Sequence, residues 1–564
     1  MGDFELEESS MRAHLPVPLR LLPGLALAAW LGLVLAAPAG AQSRPSGICP
    51  GLLLAYSCGN KTCEPGLSEN AGNCPQDCLA APLKSYNNLK ACTDVDVVRT
   101  ASSTAQIQQY VSEAAAAGQK VKVSGNRHSI SDVICTSGVV IKPSQAAIYG
   151  IESFEGEEVV RVDAGVKTGD LAEWLHARGK SLGYALMGFR LPTVAGAVAT
   201  GSHGSSPRFD SLLASRVRSV QLVDSSGALR TFSKGTTPET TWRALTANAG
   251  MLGVVTQLRL AIQPQFNLRV KVTYNDESSL FASGGALAQM SACDYGTINW
   301  FPRTKKWVKT CGTVTSSAPA AGAENVMLNP APGFDGALGI VRNAWQSAAC
   351  DRGFAVTVEG TQYSTMQLSP PFQKNGLCCG VKVRSTDLVG YSHRMISSAF
   401  AASGDQIANV DWEVAVPQQY AEQALRDVRD ILARHNASVW EIGIFLRFTK
   451  VATSSWLANA AEGGSFRAGD TAMYIEMPVI EPIDFSSAWM AWYEAPYKEV
   501  VEKLVRDYDG RVHLGKNKKW LFELERTEGT YGSNVTRFNQ ALQSLGITSR
   551  FENGFAADLG VVFP

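Results

Sequence analysis

At 564 residues the chain is too long for one ordinary core, so two or three domains are expected, with interior enough to bury a large ligand. Lys plus Arg and Asp plus Glu both number 51, so no net field draws the chain to nucleic acid or to an anionic membrane, and a small-molecule partner is expected instead. Charged residues make up 18% of the sequence, against roughly 25% in ordinary soluble domains, which excludes a disordered, charge-rich chain.

Residues 1–41 carry the pattern of an export signal. Arg12, His14 and Arg20 precede an uncharged apolar run from Leu21 to Ala37, and Ala39-Gly40-Ala41 supplies small residues for cleavage. The competing reading is an uncleaved membrane anchor, because the run approaches bilayer-spanning length. Pro23, Pro38 and the cleavage site favour a signal, so the mature protein is expected to be secreted or extracytoplasmic. Twelve cysteines fit that oxidising compartment. Cys49, Cys58, Cys63, Cys74 and Cys78 crowd into residues 42–88 among turn-forming residues, as a small stapled module. A zinc knuckle is the alternative, but no histidine stands among them and two clean Cys-x-x-Cys pairs are missing; no metal site is expected. Five is odd, so Cys92 or another distant cysteine is expected to pair with the module. Asn60-Lys61-Thr62, Asn436-Ala437-Ser438 and Asn534-Val535-Thr536 are glycan acceptor sequences.

Thr104 to Ala117 has helical periodicity and stops at Gly118, and Lys120 to Val123 alternates like a half-buried strand. Directly after it comes Ser124-Gly125-Asn126-Arg127-His128-Ser129, a glycine loop whose backbone N–H groups can wrap a phosphate. Val159 to Val166 reads as a strand and Gly169 to Ala177 as a short helix stopped by Gly179. Leu191 to Gly204 is a glycine-punctuated run without regular period, and its small and hydroxyl residues (Gly196, Thr200, Gly201, Ser202, His203, Gly204) can lie flat under a planar ring. Strands follow at Val217 to Val223 and Val254 to Ala261, with a turn at Ser225-Ser226-Gly227 and a domain boundary near Gln265. Strands and helices mix from Leu268 to about Asp509, with a long loop expected from Ala318 to Gly336.

From about Leu89 onward these segments resemble the vanillyl-alcohol-oxidase-type flavoproteins, and among them the aldonolactone oxidases. Gly125 to Ser129 looks like that family's pyrophosphate loop, and Ser131 to Gly138 is similar to the segment that follows it in animal gulonolactone oxidases. Thr200 to Ser206 looks like the second flavin loop, and Gly250 to Thr256, with Gly253 and Val254, like the strand entry that closes on the cofactor. Ile444 to Lys450 and Val512 to Asn517 look closest to plant gulonolactone oxidases. The resemblance implies an α+β fold: a two-lobed FAD-binding domain at 89–265, a substrate or cap domain at 266–510 with a mainly antiparallel sheet and flanking helices, and a C-terminal segment, 511–564, packing back at the flavin site. It also implies FAD as cofactor, carried covalently by His128.

In the family an arginine and a lysine face flavin and substrate, and Arg447 and Lys516 match them. Phe445 stands where many relatives have a glutamate two residues before the arginine, and Leu514 replaces a usual tryptophan. Glu441 is a poor substitute for the missing carboxylate, since six strand residues put it about 20 Å from Arg447. Glu476, on the strand-like run from Met473 to Pro478, is the speculative alternative; its plainer reading is an exposed strand glutamate. Unaided by the resemblance, Lys516 reads as part of a solvated basic turn with Lys518 and Lys519. The implied reaction moves a hydride from a carbinol carbon of a sugar lactone to flavin N5, with Arg447 and Lys516 stabilising the developing alkoxide, and with oxygen as acceptor giving peroxide. The ketolactone so formed can tautomerise toward an ascorbate-type enediol. An alditol or oligosaccharide oxidase on the same scaffold, a lactone dehydrogenase and a secreted non-catalytic binding protein are the alternatives.

Overall fold

The computed structural model describes residues 45–46, 78, 80–185, 190–327, 347–377, 380–397, 409–439, 443–482 and 485–564. By internal contacts the chain divides into Met1–Ala41 and Gln42–Pro564. The first unit, with the expected export signal, lies outside the described residues, as do Cys49, Cys58, Cys63, Cys74 and Glu441. Cys78 is disulfide-bonded. Cys92 pairs with Cys135 rather than with the module, and Cys293 pairs with Cys311. Among the described residues no helix is long and apolar enough to cross a membrane.

The second unit opens with β1 (Val97–Ala101), α1 (Thr104–Ala116), β2 (Val121–Val123) and β3 (Val139–Pro143). The strands form a parallel sheet in the order β1-β3-β2. The Ser103 side chain caps α1 by accepting from the Gln106 amide, Ile107, Val111 and Ala114 face inward, and Gly118 at φ 68° ends the helix. β2 departs from the expected alternation, because a parallel strand is covered on both faces. Lys122 is accordingly fully buried, its Nζ donating to the Ala249 carbonyl at 2.9 Å, and burial lowers its pKa to about 7.

A five-stranded antiparallel sheet follows, built from β4 (Ile148–Phe154), β5 (Glu157–Asp163), β6 (Val217–Val223), β7 (Leu229–Ser233) and β8 (Val254–Ala261) in the order β7-β6-β8-β5-β4. β5 stops three residues before the expected Val166. The chain turns at Gly165, where a Cβ would stand 2.4 Å from the Gln145 carbonyl oxygen. Between β5 and β6 come α2 (Thr168–His176) and α3 (Val194–Ala199). α3 lies inside the run that showed no period. Six residues are fewer than two turns, and Gly and Ala leave no apolar stripe to read, but Thr193 caps the helix by accepting from the Gly196 amide.

The remainder is organised by one eight-stranded, wholly antiparallel sheet. Its strands are β9 (Asn267–Asp276), β10 (Tyr295–Phe301), β11 (Lys306–Thr315), β12 (Asp387–Tyr391), β13 (Asn409–Val416), β14 (Ile444–Lys450), β15 (Thr471–Ile480) and β16 (Arg511–Val512), in the order β12-β9-β11-β10-β14-β15-β13-β16. A short strand, Glu324–Asn325, lies within the region expected to be a loop, and residues 328–346 lie outside the described ones. α4 (Ala421–His435) buries Ala424, Leu425, Val428, Ile431 and Leu432, a stripe at helical spacing, and α5 (Ser487–Tyr508) packs on β13. All ten residues of β15 are buried, one face carrying Tyr474 and Glu476 and the other Met473, Ile475 and Met477. After β16 the chain returns to the parallel sheet, where Lys120 Nζ bonds Glu552 at 2.8 Å and Arg550 donates to the Gln119 carbonyl at 2.6 Å. The architecture is the α+β arrangement expected, with the strongly antiparallel sheet in the second half.

Gly253 has φ +150°, and a Cβ there would lie 2.5 Å from the Val223 carbonyl oxygen. Gly253→Ala is expected to lower stability by about 1–3 kcal/mol from backbone strain alone, and more from the clash. A urea midpoint equal to the parent's would contradict this account of the β8 entry.

Candidate active site

Two hydrogen-bonded seams bring the halves together. The first runs from the loop after β2: the Ile130 amide donates to the Gly515 carbonyl at 2.9 Å and Ser131 Oγ to the Leu514 carbonyl at 2.6 Å. The second runs from the loop after α3: the Ser206 amide donates to the Phe448 carbonyl at 2.8 Å, and the Phe448 amide donates to Ser205 Oγ at 3.1 Å. One seam therefore places Lys516 and the other Arg447, so each glycine loop is bolted to the segment that carries one cation.

Between the seams lies a cleft of about 1410 Å³, counting the open space at its mouth. Gly125, Asn126, Arg127, His128 and Ser129 form one wall, and Gly196, Thr200, Ser202 and His203 another, joined by Gly250, Gly253 and Val255. Gly201, Gly204 and Val254 stand behind the wall. The Gly204 amide is used on the Ser211 carbonyl, and the two-residue period of β8 turns Val254 into the core and Val255 to the cleft. The two loops also touch: a Cβ on Gly125 would sit 2.4 Å from Thr193 Oγ1, the cap of α3.

The walls fit a dinucleotide cofactor. Arg127 has φ 61°, the left-handed conformation that in anion-binding loops lets successive N–H groups converge. Among the described residues no protein acceptor takes the amides of Gly125, Asn126, Arg127 or Ser129. These amides would be donors for the pyrophosphate of a dinucleotide. The opposite wall, Ala195, Gly196, Ala197 and Ala199, has no side chain large enough to block a planar ring. Tyr86 and His128 stack with centroids 4.6 Å apart at the cleft edge.

At the far end the eight-stranded sheet contributes a charged cluster. Arg447 Nη2 lies 2.9 Å from Glu476 Oε2, and Lys516 Nζ bonds both Glu476 and, at 2.8 Å, Glu413 Oε2. Glu413 Oε1 accepts from His203 Nε2 at 2.9 Å, and the His203 ring lies flat on Tyr474 with centroids 3.7 Å apart. His513 Nδ1 accepts from the Gly515 amide at 3.1 Å, so the neutral ring carries its proton on Nε2. Glu476 is thus buried and doubly paired, neither exposed nor facing the cleft, because register puts it directly opposite Phe445 and next to Arg447. The Phe445 ring is buried 4.9 Å below the Arg447 guanidinium. Lys516 belongs to no solvated turn; Lys518 and Lys519 are the ones that turn away, to Glu481 and Glu494 and to Glu523 and Asp558.

Sequence reasoning missed Asp411, Glu413 and the cleft-facing role of His513. The first two alternate on β13, and two carboxylates at period two inside an otherwise apolar strand are the signal that could have found them. Burial pushes the Glu413 carboxyl up, but the Lys516 ammonium and the contact with His203 outweigh it and hold it well below the usual range. Burial pulls Lys516 and Arg447 down, yet the surrounding carboxylates raise both, so both stay charged. Burial drops His513 to about 3, keeping it neutral. Donor atoms of His203, Glu413 and His513 come within 4.8 Å of one another, but Glu413 is already committed to Lys516 and His203, which makes this an ion-pair cluster rather than a cation site.

Glu413→Gln leaves Lys516 short of a partner, and loss of one member of a buried pair costs about 3–5 kcal/mol at pH 7. Because the folded-state pKa of Glu413 is depressed, its contribution is full above the unfolded value of about 4.3 and fades as pH falls through the folded one. Urea titrations should show the gap between parent and variant closing below pH about 4. A gap independent of pH would refute the pairing.

Comparison with known proteins agrees with this geometry. Residues 95–233 match the FAD binding domain family, and residues 368–559 match the D-arabinono-1,4-lactone oxidase family. The chain is similar to an L-gulono-1,4-lactone dehydrogenase of Mycobacterium tuberculosis, 24% identical over 431 residues that cover 76% of this chain and 87% of that one. It is 27% identical to the D-arabinono-1,4-lactone oxidase of Saccharomyces cerevisiae over 222 residues, 38% of this chain and 41% of the yeast protein. In fold it resembles cholesterol oxidase from B. sterolicum, with TM-score 0.62 and 15% identity over 84% of this chain and 96% of that one. A solvent-stable cholesterol oxidase gives TM-score 0.63 and 14% identity over 85% and 97%. The chain therefore carries an FAD binding domain joined to a D-arabinono-1,4-lactone oxidase domain.

Proposed function

We propose that this flavoprotein oxidises the secondary alcohol of an aldono-1,4-lactone, L-gulono-1,4-lactone being the first candidate. The observation that carries the reading is the placing of Arg447 and Lys516 together on the wall of a glycine-lined cleft, each fixed through its own seam to a cofactor loop. Bound FAD supplies the hydride acceptor. Arg447 and Lys516 hold the hydroxyl oxygen and stabilise the negative charge that develops on it, in a site where burial strengthens every such contact. Glu476 anchors both cations and sets their separation. His513 presents an Nε2 proton beside them, suited to a ring oxygen or carbonyl of the lactone.

Three finer elements belong to the same proposal. His128 lies at the cleft edge and carries the flavin covalently, as the resemblance of Gly125–Ser129 implies. Residues 1–41 export the chain, which suits the disulfides Cys92–Cys135 and Cys293–Cys311. Oxygen reoxidises the flavin. A dehydrogenase passing electrons to a carrier is the second reading, favoured by the name of the mycobacterial relative, which this chain covers over most of its length.

Anaerobic mixing of the holoprotein with L-gulono-1,4-lactone is expected to bleach the flavin absorbance, and Lys516→Met to slow the bleaching about 10²–10³-fold. Admission of air separates oxidase from dehydrogenase by the rate at which colour returns. Denatured parent protein should keep flavin fluorescence on a gel, and His128→Ala should lose it. A flavin that no lactone bleaches would end the substrate reading, and fluorescence released from the denatured parent would end the covalent one.

A further inference from the structure

The family resemblance leaves a gap: Phe445 occupies the position where relatives have a glutamate, so the group that takes the hydroxyl proton is missing from its expected place. Glu476 does not fill it, being tied to Arg447 and Lys516 and kept off the cleft wall. Among the described residues that line the cleft, Asp411 is the one carboxylate. Its side chain is 14% exposed, close to the 17% of Lys516 and the 18% of Arg447, whereas Glu476 and Glu413 are at 5% and 0%. Asp411 Oδ1 accepts from Asn409 Nδ2 at 2.8 Å, which fixes the carboxylate. Its Oδ2 stands 3.9 Å from Lys516 Nζ, too far for a hydrogen bond, so this oxygen keeps acceptor capacity beside the ammonium that would hold the substrate oxygen.

We infer that Asp411 is the proton acceptor of the reaction, its Oδ2 taking the proton of the substrate hydroxyl. The inference rests on the lactone-oxidation reading. The O–H bond breaks and its proton passes to Asp411, the C–H bond breaks and its electron pair leaves with hydrogen for bound FAD, the oxidant, and the C–O bond becomes C=O. The groups around Asp411 suit the task. Burial raises its pKa, Lys516 and Arg447 draw it down, and Glu476 on β15 and Glu413 on its own strand push it up, for a value of about 6. Arg447 and Lys516 remain charged and His513 neutral through that range. Asp411 is therefore ionised and basic at neutral pH, and protonated in mild acid.

The test uses FAD-loaded parent, Asp411→Asn and Asp411→Ala, with flavin content and melting temperature checked for each. In the parent, the second-order rate constant for flavin reduction by lactone should rise with pH through about 6 and then level. In Asp411→Asn it should fall about 10²–10⁴-fold and lose that limb. Formate should restore reduction to Asp411→Ala at least about tenfold, which no structural defect would allow. Independently of turnover, protein labelled with ¹³C at the aspartate carboxyl should show one resonance titrating near 6 that is absent from Asp411→Asn. Reduction by Asp411→Asn within about fivefold of the parent, with the same pH profile, would overturn the inference alone. A parent flavin that no aldonolactone reduces would overturn the underlying reading and this inference with it.

Discussion

The arrangement turns on a buried ion-pair network in the second half of the molecule, to which the first half is joined through His203. Lys516 comes from the C-terminal segment, Arg447, Glu476 and Glu413 from the eight-stranded sheet, and His203 from the second glycine loop. Isolated charges taken out of water cost several kcal/mol each, so every one of these groups must find its partner from another element. The contact of His203 with Glu413 ties the loop to the sheet, and the contacts of Lys516 tie the C-terminal segment to both strands that flank the site. Assembly of the cluster and closure of the cleft are one event.

Two hydrogen-bonded seams give that event its geometry. Ile130 reaches the carbonyl of Gly515 and Ser205 reaches the amide of Phe448, and in each case a loop that would cradle the cofactor is held to the residue adjoining a cation. Asn517, at φ 69°, extends the first seam by exchanging bonds with the backbone of Glu413. The cations are thereby placed relative to the cofactor loops by backbone contacts rather than by long flexible side chains, the kind of support that holds a site to within a fraction of an ångström.

A second buried group marks the join between the halves elsewhere. His393, in the turn of helix Ser392–Ile396, packs against His176 at the end of α2, with centroids 4.5 Å apart, and lies 3.3 Å from Glu173. Burial lowers its pKa to about 4, while Arg394 and Arg190 overcome burial to hold Glu173 at about 2. Neutral imidazole and ionised carboxylate are the packed forms at neutral pH, and acid disfavours the fold here because it forces the buried imidazole to take up charge.

Much of the cofactor half was legible in the chain itself. The loop from Ser124 to Ser129, β6 and β8 are local patterns, a glycine loop after a short strand and alternation at period two, whereas Arg447 and Lys516 were singled out only by the resemblance of their short motifs to a family. α3 escaped because six small residues show no periodicity, and β2 was misread as half-buried because segments distant in sequence, among them the one that brings the Ala249 carbonyl to Lys122, cover its second face. The ion-pair cluster escaped for a different reason. Register alone sets Glu476 opposite Phe445, the return of the C-terminal segment brings Lys516 to Glu413, and the alternation of β13 turns Asp411 to the cleft. What the sequence determined by itself was which segments could cradle a cofactor; which cations could serve it came from the resemblance of their motifs to a family. Which carboxylates meet those cations, and which one is left facing the cleft, was decided only by tertiary structure, because charges distant in sequence are chosen as partners by the cost of burying them alone.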